Sequence, residues 1–124
     1  MLCLNKISKN RLGDESAMDF NEYQTKALRT AGVKEKTQLV LNGVMGLAGE
    51  SGECVDIMKK HLFQGHALDR EKLMDELGDV LWYLAITTDG LGYQLEDIAN
   101  HNIIKLVKRY PEGFNADRSI NRDE

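Results

Sequence analysis

The sequence predicts an all-α protein built on a four-helix core. Apolar residues recur at helical spacing in four successive segments. Residues that favour helix caps and helix stops stand at the ends of these segments. The chain of 124 residues contains one proline, so little interrupts long helices.

The first two helices are predicted at about 19–31 and 37–63. Asp19, followed three residues later by Glu22, fits a capping box, and Gly32 fits the stop of the first helix. The second helix has a predicted apolar stripe of Val40, Val44, Leu47, Cys54, Met58 and Leu62.

Four glycines interrupt the second helix at a period of three, namely Gly43, Gly46, Gly49 and Gly52. Each destabilises a helix by roughly 1 kcal/mol relative to alanine. They indicate either a distorted segment or a close helix–helix contact. We favour the contact.

The third and fourth helices are predicted at about 70–89 and 94–110. Asp69 is placed to cap the third helix, residues 90–92 form a turn, and Pro111 ends the fourth helix. The tail from Gly113 is expected to lie over the surface. The predicted stripes are Leu73, Leu77, Val80, Leu81, Leu84 and Ala85, and then Ile98 or Ala99, Ile103, Leu106 and Tyr110.

Composition and charge narrow the class of protein. We expect a flexible leader at 1–17 and a single helical domain at 18–124. The net charge of −4 argues against binding a nucleic-acid polymer. No apolar run reaches the ~20 residues of a membrane span. The two cysteines have no metal or redox spacing, and the expected location is the cytoplasm.

Two segments carry acidic pairs three residues apart: Glu50 with Glu53, and Glu76 with Asp79. Residues at this spacing are neighbours on a helix surface, although one such pair alone is more typical of a solvated face. Both pairs lie about 80° around their helices from the predicted apolar stripes. Helices packed through those stripes would bring the four acids together at the rim of the core.

Four clustered carboxylates require a counter-charge from protons, basic side chains or a metal. Oxygen-only ligands favour Mg²⁺, with Mn²⁺ as a substitute. Zinc is disfavoured because His61, His66 and His101 have no ligand spacing. A di-iron bundle would need Glu-x-x-His motifs, which these acidic pairs lack.

A polar set on the fourth helix comprises Asn102, Lys105 and Arg109, whose spacing places them on one face. Lysine and arginine bind phosphate oxygens. A solvated basic face near a helix C-terminus explains the same pattern equally well. Together with the acids, the set indicates metal-dependent phosphate chemistry.

These residues resemble the MazG-like all-alpha nucleoside triphosphate pyrophosphohydrolases. That family's signature is E-x-x-E, a spacer of a dozen to some two dozen residues, and E-x-x-D. Here the two pairs are separated by 22 residues. The flanking segments 46–53 and 75–83 and the closing segment 102–114 also resemble the family, so that the resemblance spans about 18–121.

The resemblance implies a homodimer or homotetramer that hydrolyses nucleoside triphosphates to monophosphate and pyrophosphate. It implies Mg²⁺ held by the four acids, Glu53 acting on the attacking water, and phosphates contacted by Asn102, Lys105 and Arg109. Lys59 is a looser match to the substrate-binding set, as is Lys60. Nucleotide-pool house-cleaning is the biological role that the family suggests.

Two alternatives remain open at this point. The same acidic pattern occurs in dUTP-specific and phosphoribosyl-ATP-specific pyrophosphohydrolases, and a non-catalytic nucleotide-binding oligomer would also fit. The sequence also gives a separate reason to expect an oligomer, because Trp82, Ile86 and Ile104 fall outside a single apolar stripe. A lone chain is expected to expose such residues.

Overall fold

The computed structural model describes residues 17–122, which form five α-helices and no β-strand. The predicted leader therefore lies, except for its last residue, outside the described residues. None of the described helices is long and apolar enough to cross a membrane. The all-α prediction is confirmed. The helices are α1 (Phe20–Leu28), α2 (Lys36–Phe63), α3 (Arg70–Gly90), α4 (Leu95–Arg109) and α5 (Ala116–Ile120).

Side-chain caps set the starts of two helices as predicted. The Asp19 carboxylate accepts a hydrogen bond from the Glu22 backbone N–H at 2.8 Å, and Asp69 accepts one from the Lys72 N–H at 3.0 Å. The Glu22 side chain pairs with Lys26 at 2.9 Å, so the reciprocal half of a capping box is not formed. α1 ends at Leu28, three residues earlier than predicted, and α5 was not predicted.

α2 and α3 form a long antiparallel hairpin and approach each other closely at two glycines of α2. A Cβ atom added at Gly43 would collide with Thr87, and one added at Gly46 would collide with the Tyr83 ring. The predicted helix–helix contact is therefore confirmed at these positions. Gly49 and Gly52 face open space among the described residues.

The face of α2 that meets α3 differs from the predicted one. Leu39, Gly43 and Ile57 are buried, and at about 100° per residue they share the side of Glu50. The predicted stripe lies about 80° further round and is only partly covered. Val44 is 52% exposed and Leu62 is 63% exposed, whereas Val40, Leu47 and Cys54 are half-buried. Packing through this stripe is wrong because the glycines let the backbones approach more closely than branched side chains allow.

The same rotation applies to α3, where Tyr83 and Thr87 share the side of Glu76. Part of the predicted α3 stripe packs in the core, since Ala85 is fully buried and Leu81 and Leu84 pack against its cluster. Six other members of the two stripes lie on the same side of the hairpin and form one surface that we term the apolar face. Its members are half-buried or exposed. They are Val44, Leu47, Met58, Leu62, Leu73 and Leu77.

α1 covers the other side of α3 and forms a small core with it. Ala27 packs with Ala85 and Leu95, and Ala31 packs with Leu39 and Ile86. Half-buried Trp82 lies against both clusters, and its indole N–H donates to the Ala27 carbonyl at 3.1 Å and the Thr30 hydroxyl at 2.9 Å. The expectation that a lone chain exposes Ile86 is therefore wrong, since this residue is fully buried against Ala31 and Leu39, and Trp82 is already half-buried against α1.

A buried glutamine joins α1 to the α3–α4 turn. The Gln24 side chain, only 5% exposed, donates to the carbonyls of Ala85 at 3.3 Å and Tyr93 at 3.1 Å. It also accepts from the Leu95 N–H at 2.8 Å, one of the helix-end groups that lack intrahelical partners. The start of α4 is thereby held in the core, whereas residues 100–108 of the same helix are exposed.

The hairpin contact predicts opposite effects for two glycine-to-alanine changes. Gly43→Ala places a methyl group against the Thr87 side chain and its Cα, and we expect a loss of about 1–3 kcal/mol in the free energy of unfolding. Gly49→Ala meets open space and should gain up to about 1 kcal/mol from helix propensity. Urea unfolding measures both, and equal effects would contradict the close contact.

Candidate functional site

Three carboxylates converge between α2 and α3. One oxygen from each of Glu50, Glu76 and Asp79 lies within 4.8 Å of the others. Gly46 stands four residues before Glu50, and its contact residue Tyr83 stands seven residues after Glu76. The close glycine contact thus lies beside the acids and holds their two backbones together.

The surroundings of Glu50 disfavour the ionised form of its carboxyl and raise its pKa. Loss of water contact is the largest cause that raises the pKa of this carboxyl, and a hydrogen bond with the Glu76 carboxyl is the second. The negative charges of Asp79, Glu76 and Glu53 raise the pKa further. A proton or a cation is therefore needed to relieve the repulsion, and the donor set of carboxylate oxygens suits a hard divalent cation.

The fourth predicted acid, Glu53, does not belong to the converging group. It is exposed and one helical turn from Glu50. Its charge raises the pKa of Glu50 and also that of Lys60. The structure thus brings three of the four acids together and leaves the fourth between this group and a lysine.

The two lysines near the end of α2 take different sides of the helix. Lys59, nine residues from Glu50, lies about 180° around α2 from it, whereas Lys60 lies on the side of Glu53. Asp56 binds both ammonium groups, at 3.3 Å from Lys59 and 2.6 Å from Lys60. Both ammonium groups thus lie at Asp56, about 120° around α2 from Glu50, so the structure holds them outside the converging acids.

The polar set of α4 is separate from the acids in the single chain. Asn102 and Lys105 are exposed and Arg109 is half-buried. Within residues 17–122, no ion pair or side-chain hydrogen bond joins these three residues to the acidic group. α4 packs on α1 and α3, and the set lies on its uncovered second half.

Two residues near the site escaped the sequence analysis. Burial and the charge of Asp79 raise the pKa of Tyr23, so this phenol of α1 borders the acidic group. No motif in the sequence identifies Tyr23 as a residue of the site, because only the packing of α1 on α3 brings it near Asp79. The sequence did contain a signal for the ion pairs of Asp56, since this residue precedes two lysines at the three- and four-residue spacing of helical ion pairs.

The fold and this site define a class: an all-α protein with three converging carboxylates between the two helices of a hairpin. The family model of the MazG nucleotide pyrophosphohydrolase domain matches residues 39–114. The chain belongs to this family, as its sequence motifs predicted. The match begins within α2 and is shorter at both ends than the expected 18–121, so α1 lies outside it.

A curated relative is the Gene 37 protein of Mycobacterium phage L5, which is 35% identical over 82 residues. The alignment covers 63% of this chain and 72% of the relative, and the relative's name states no activity. No solved structure matches the chain.

The raised pKa of Glu50 predicts how stability depends on pH. Ionising Glu50 is less favourable in the folded chain than in the unfolded chain, so its contribution to the free energy of unfolding falls as pH rises through the carboxyl range. Without divalent cations, Glu50→Gln should therefore raise the Tm at pH 7 and leave it unchanged near pH 4, about the usual carboxyl pKa or below.

Thermal melts at the two pH values check this expectation. Glu71→Gln is the matched control, because Glu71 is an exposed glutamate of α3 outside the converging group. A pH-independent gain for Glu50→Gln, or an equal gain for the control, would contradict repulsion within the cluster.

Proposed function

We propose that the protein is a Mg²⁺-dependent nucleoside triphosphate pyrophosphohydrolase. The observation that carries the proposal is the convergence of Glu50 with Glu76 and Asp79 within 4.8 Å. These acids come from two helices of a chain that belongs to the MazG nucleotide pyrophosphohydrolase domain family. A solvated face of one helix would not place carboxylates of a second helix at this distance.

The residues present fit a hard divalent cation. Glu50, Glu76 and Asp79 would hold Mg²⁺, or Mn²⁺ in its place, and Glu53 is the adjacent fourth acid. When bound, the cation would neutralise the acids and polarise the phosphate oxygens of the substrate. The raised pKa of Glu50 supports this fit, because no ion pair within residues 17–122 neutralises Glu50, Glu76 or Asp79.

In the proposed reaction, the protein side chains act on the attacking water and on the phosphates. Glu53, exposed beside the cluster, orients a water molecule and accepts its proton. The water oxygen forms a bond to the α-phosphorus while the bond from that phosphorus to the bridging oxygen breaks, and pyrophosphate leaves with the bridging oxygen. Asn102, Lys105 and Arg109 bind the phosphates and offset the charge of the leaving group.

These α4 residues reach the acids in the proposed assembly of two or four copies. The apolar face of the hairpin is unpartnered within the described chain, and so is the second half of α4, where Ile103, Ile104 and Val107 are exposed. A two-fold contact would bury these surfaces. It would also allow α4 of one copy, or the segment around Phe114, to close the site of the other copy.

The activity is tested with a panel of nucleoside triphosphates in Mg²⁺, with pyrophosphate and phosphate measured separately. We expect monophosphate and pyrophosphate as products, and a loss of about 100-fold or more in kcat/KM for alanine at each of the four acids. Circular dichroism should show intact helices. Glu71→Ala, an exposed acid outside the group, is the control.

Several outcomes of this panel would redirect the proposal. Full activity of Glu53→Ala would remove Glu53 from the site. Turnover confined to dUTP or to phosphoribosyl-ATP would make the protein a specific member of the superfamily. Nucleotide binding without turnover would favour the non-catalytic oligomer.

A site shared between copies predicts complementation between two inactive variants. Glu76→Ala lacks an acid and Arg109→Ala lacks a phosphate contact, so each alone should be strongly impaired. After mixing with subunit exchange, half of the dimers are mixed and carry one intact site, which should restore up to roughly a quarter of wild-type activity. Light scattering should give a multiple of the 14.0 kDa chain mass. A monomeric, active protein would refute the shared site.

A further inference from the structure

The first turn of α4 is held by two side chains of α1 that have no role in the reaction described so far. The Leu95 N–H donates to the Gln24 side-chain oxygen at 2.8 Å, and the Glu96 N–H donates to the Asn21 side-chain oxygen at 3.2 Å. The Asn21 amide nitrogen also donates to the Glu96 carboxylate at 2.9 Å. Asn21 thus binds both the backbone and the side chain of Glu96. Both α1 residues lie outside the residues 39–114 that match the MazG domain.

This contact differs from the caps of the other four helices, where the capping side chain belongs to the residue just before the helix. Those residues are Asp19, Glu35, Asp69 and Asn115. Such a cap satisfies the free N–H groups of a helix start, but it moves together with its own helix. The acceptors for α4 stand 71 and 75 residues away in the sequence. Because N–H groups at a helix start point along its axis and hydrogen bonds favour near-linear geometry, these acceptors fix the direction of α4 relative to α1.

The direction of α4 decides where its cations lie. Ile98 and Ala99 are half-buried, whereas residues 100–108 are exposed within the described chain. Arg109 stands 13 residues after Glu96, which corresponds to about 20 Å along the helix axis. A tilt of about 10° at Glu96 would therefore move Arg109 by about 3.5 Å. A displacement of this size breaks a hydrogen bond.

We propose that Asn21 is a positioning residue for the phosphate-binding set of α4 and that it acts through Arg109. The inference rests on the proposed function, in which this set binds the phosphates. α1 packs on α3, which carries two of the converging acids. α1 is therefore a common support for the acids and for α4, so that each copy presents α4 at one angle to its hairpin. A fixed angle keeps the guanidinium in place while charge develops on the departing pyrophosphate.

Stability alone explains the contact less well. The start of α4 is already held by the Leu95 side chain, which is 3% exposed, and by a hydrogen bond from the Gln94 N–H to the Asp97 carboxylate at 2.9 Å. The bond from Asn21 to the Glu96 carboxylate satisfies no backbone group, so capping does not require it. Its effect is to hold the Asn21 amide in one orientation.

A double-mutant cycle tests the action through Arg109, with calorimetric binding of a non-hydrolysable α,β-methylene triphosphate in Mg²⁺ as the measurement. Asn21→Asp places a second carboxylate against that of Glu96 and should weaken triphosphate binding about tenfold. Mn²⁺ binding to the protein without nucleotide should be unchanged, because the acids do not move. In the Arg109→Ala background, Asn21→Asp should cause little further loss. Sites this far apart are ordinarily additive, so non-additivity is a result that a merely structural role would not give.

Exchange of the donor and acceptor provides a rescue. Asn21→Asp combined with Glu96→Gln restores one donor and one acceptor between the two side chains and should recover most of the triphosphate affinity. Thr25→Ala is the matched control, because Thr25 is an exposed residue of α1 whose hydroxyl donates to the Asn21 carbonyl at 3.0 Å. This change alters α1 beside Asn21 without removing the contact to α4, and it should leave binding unchanged.

The outcomes separate the positioning role from the proposed function. Circular dichroism and melting confirm folding, and Asn21→Ala replaces Asn21→Asp if the latter unfolds. Equal losses in the wild-type and Arg109→Ala backgrounds, an equal loss in Thr25→Ala, or unchanged binding in Asn21→Asp would overturn the positioning role while leaving wild-type turnover intact. Failure of the wild-type protein to bind or hydrolyse any triphosphate would instead refute the proposed function, and the inference with it.

Discussion

The rest of the structure depends on the close approach of α2 and α3 at Gly43 and Gly46. Thr87 and Tyr83 occupy the space that side chains on these glycines would need. The contact brings the two backbones together beside Glu50 and Glu76, which is how carboxylates on separate helices come within 4.8 Å. Larger residues at the two positions would separate the helices and disperse the acids, because helix spacing follows the side chains at the contact.

This arrangement works against the stability of the isolated chain. The hairpin places Glu50 in a partly desolvated position beside three other negative charges, where ionisation is disfavoured. The glycines also reduce helix propensity. A bound cation would relieve the repulsion and stabilise the folded state by mass action. The destabilising repulsion therefore lies at the carboxylates that, in our proposal, bind the cation.

The core leaves a large part of the hairpin uncovered. α1 is attached to α3 and α4 by Gln24 and Trp82, whose hydrogen bonds satisfy groups near the helix ends. The small residues Ala27 and Ala85 meet at this junction. The apolar face and the second half of α4 remain uncovered within residues 17–122, and the α4 cations form no ion pair with the acids there. In our proposal, a second copy covers these surfaces and completes the site.

Much of the architecture could be predicted from the amino-acid sequence because its causes are local. Helical periodicity and the caps at Asp19 and Asp69 placed four helices close to their observed bounds. The acidic pairs, together with their flanking segments and the closing segment 102–114, indicated the family, because these are local sequence patterns that do not depend on the packing. The glycine period indicated a close contact, and Gly43 and Gly46 form it.

Tertiary structure decided which faces meet. Periodicity marks every apolar stripe alike, so it could not distinguish the apolar face from the glycine face that packs on α3. It also could not show that α1 buries Ile86, or that Tyr23 comes near Asp79. The separation of Glu53 from the converging acids and the sides taken by Lys59 and Lys60 depend on helix rotation. That rotation is set by long-range packing, which local sequence patterns do not contain.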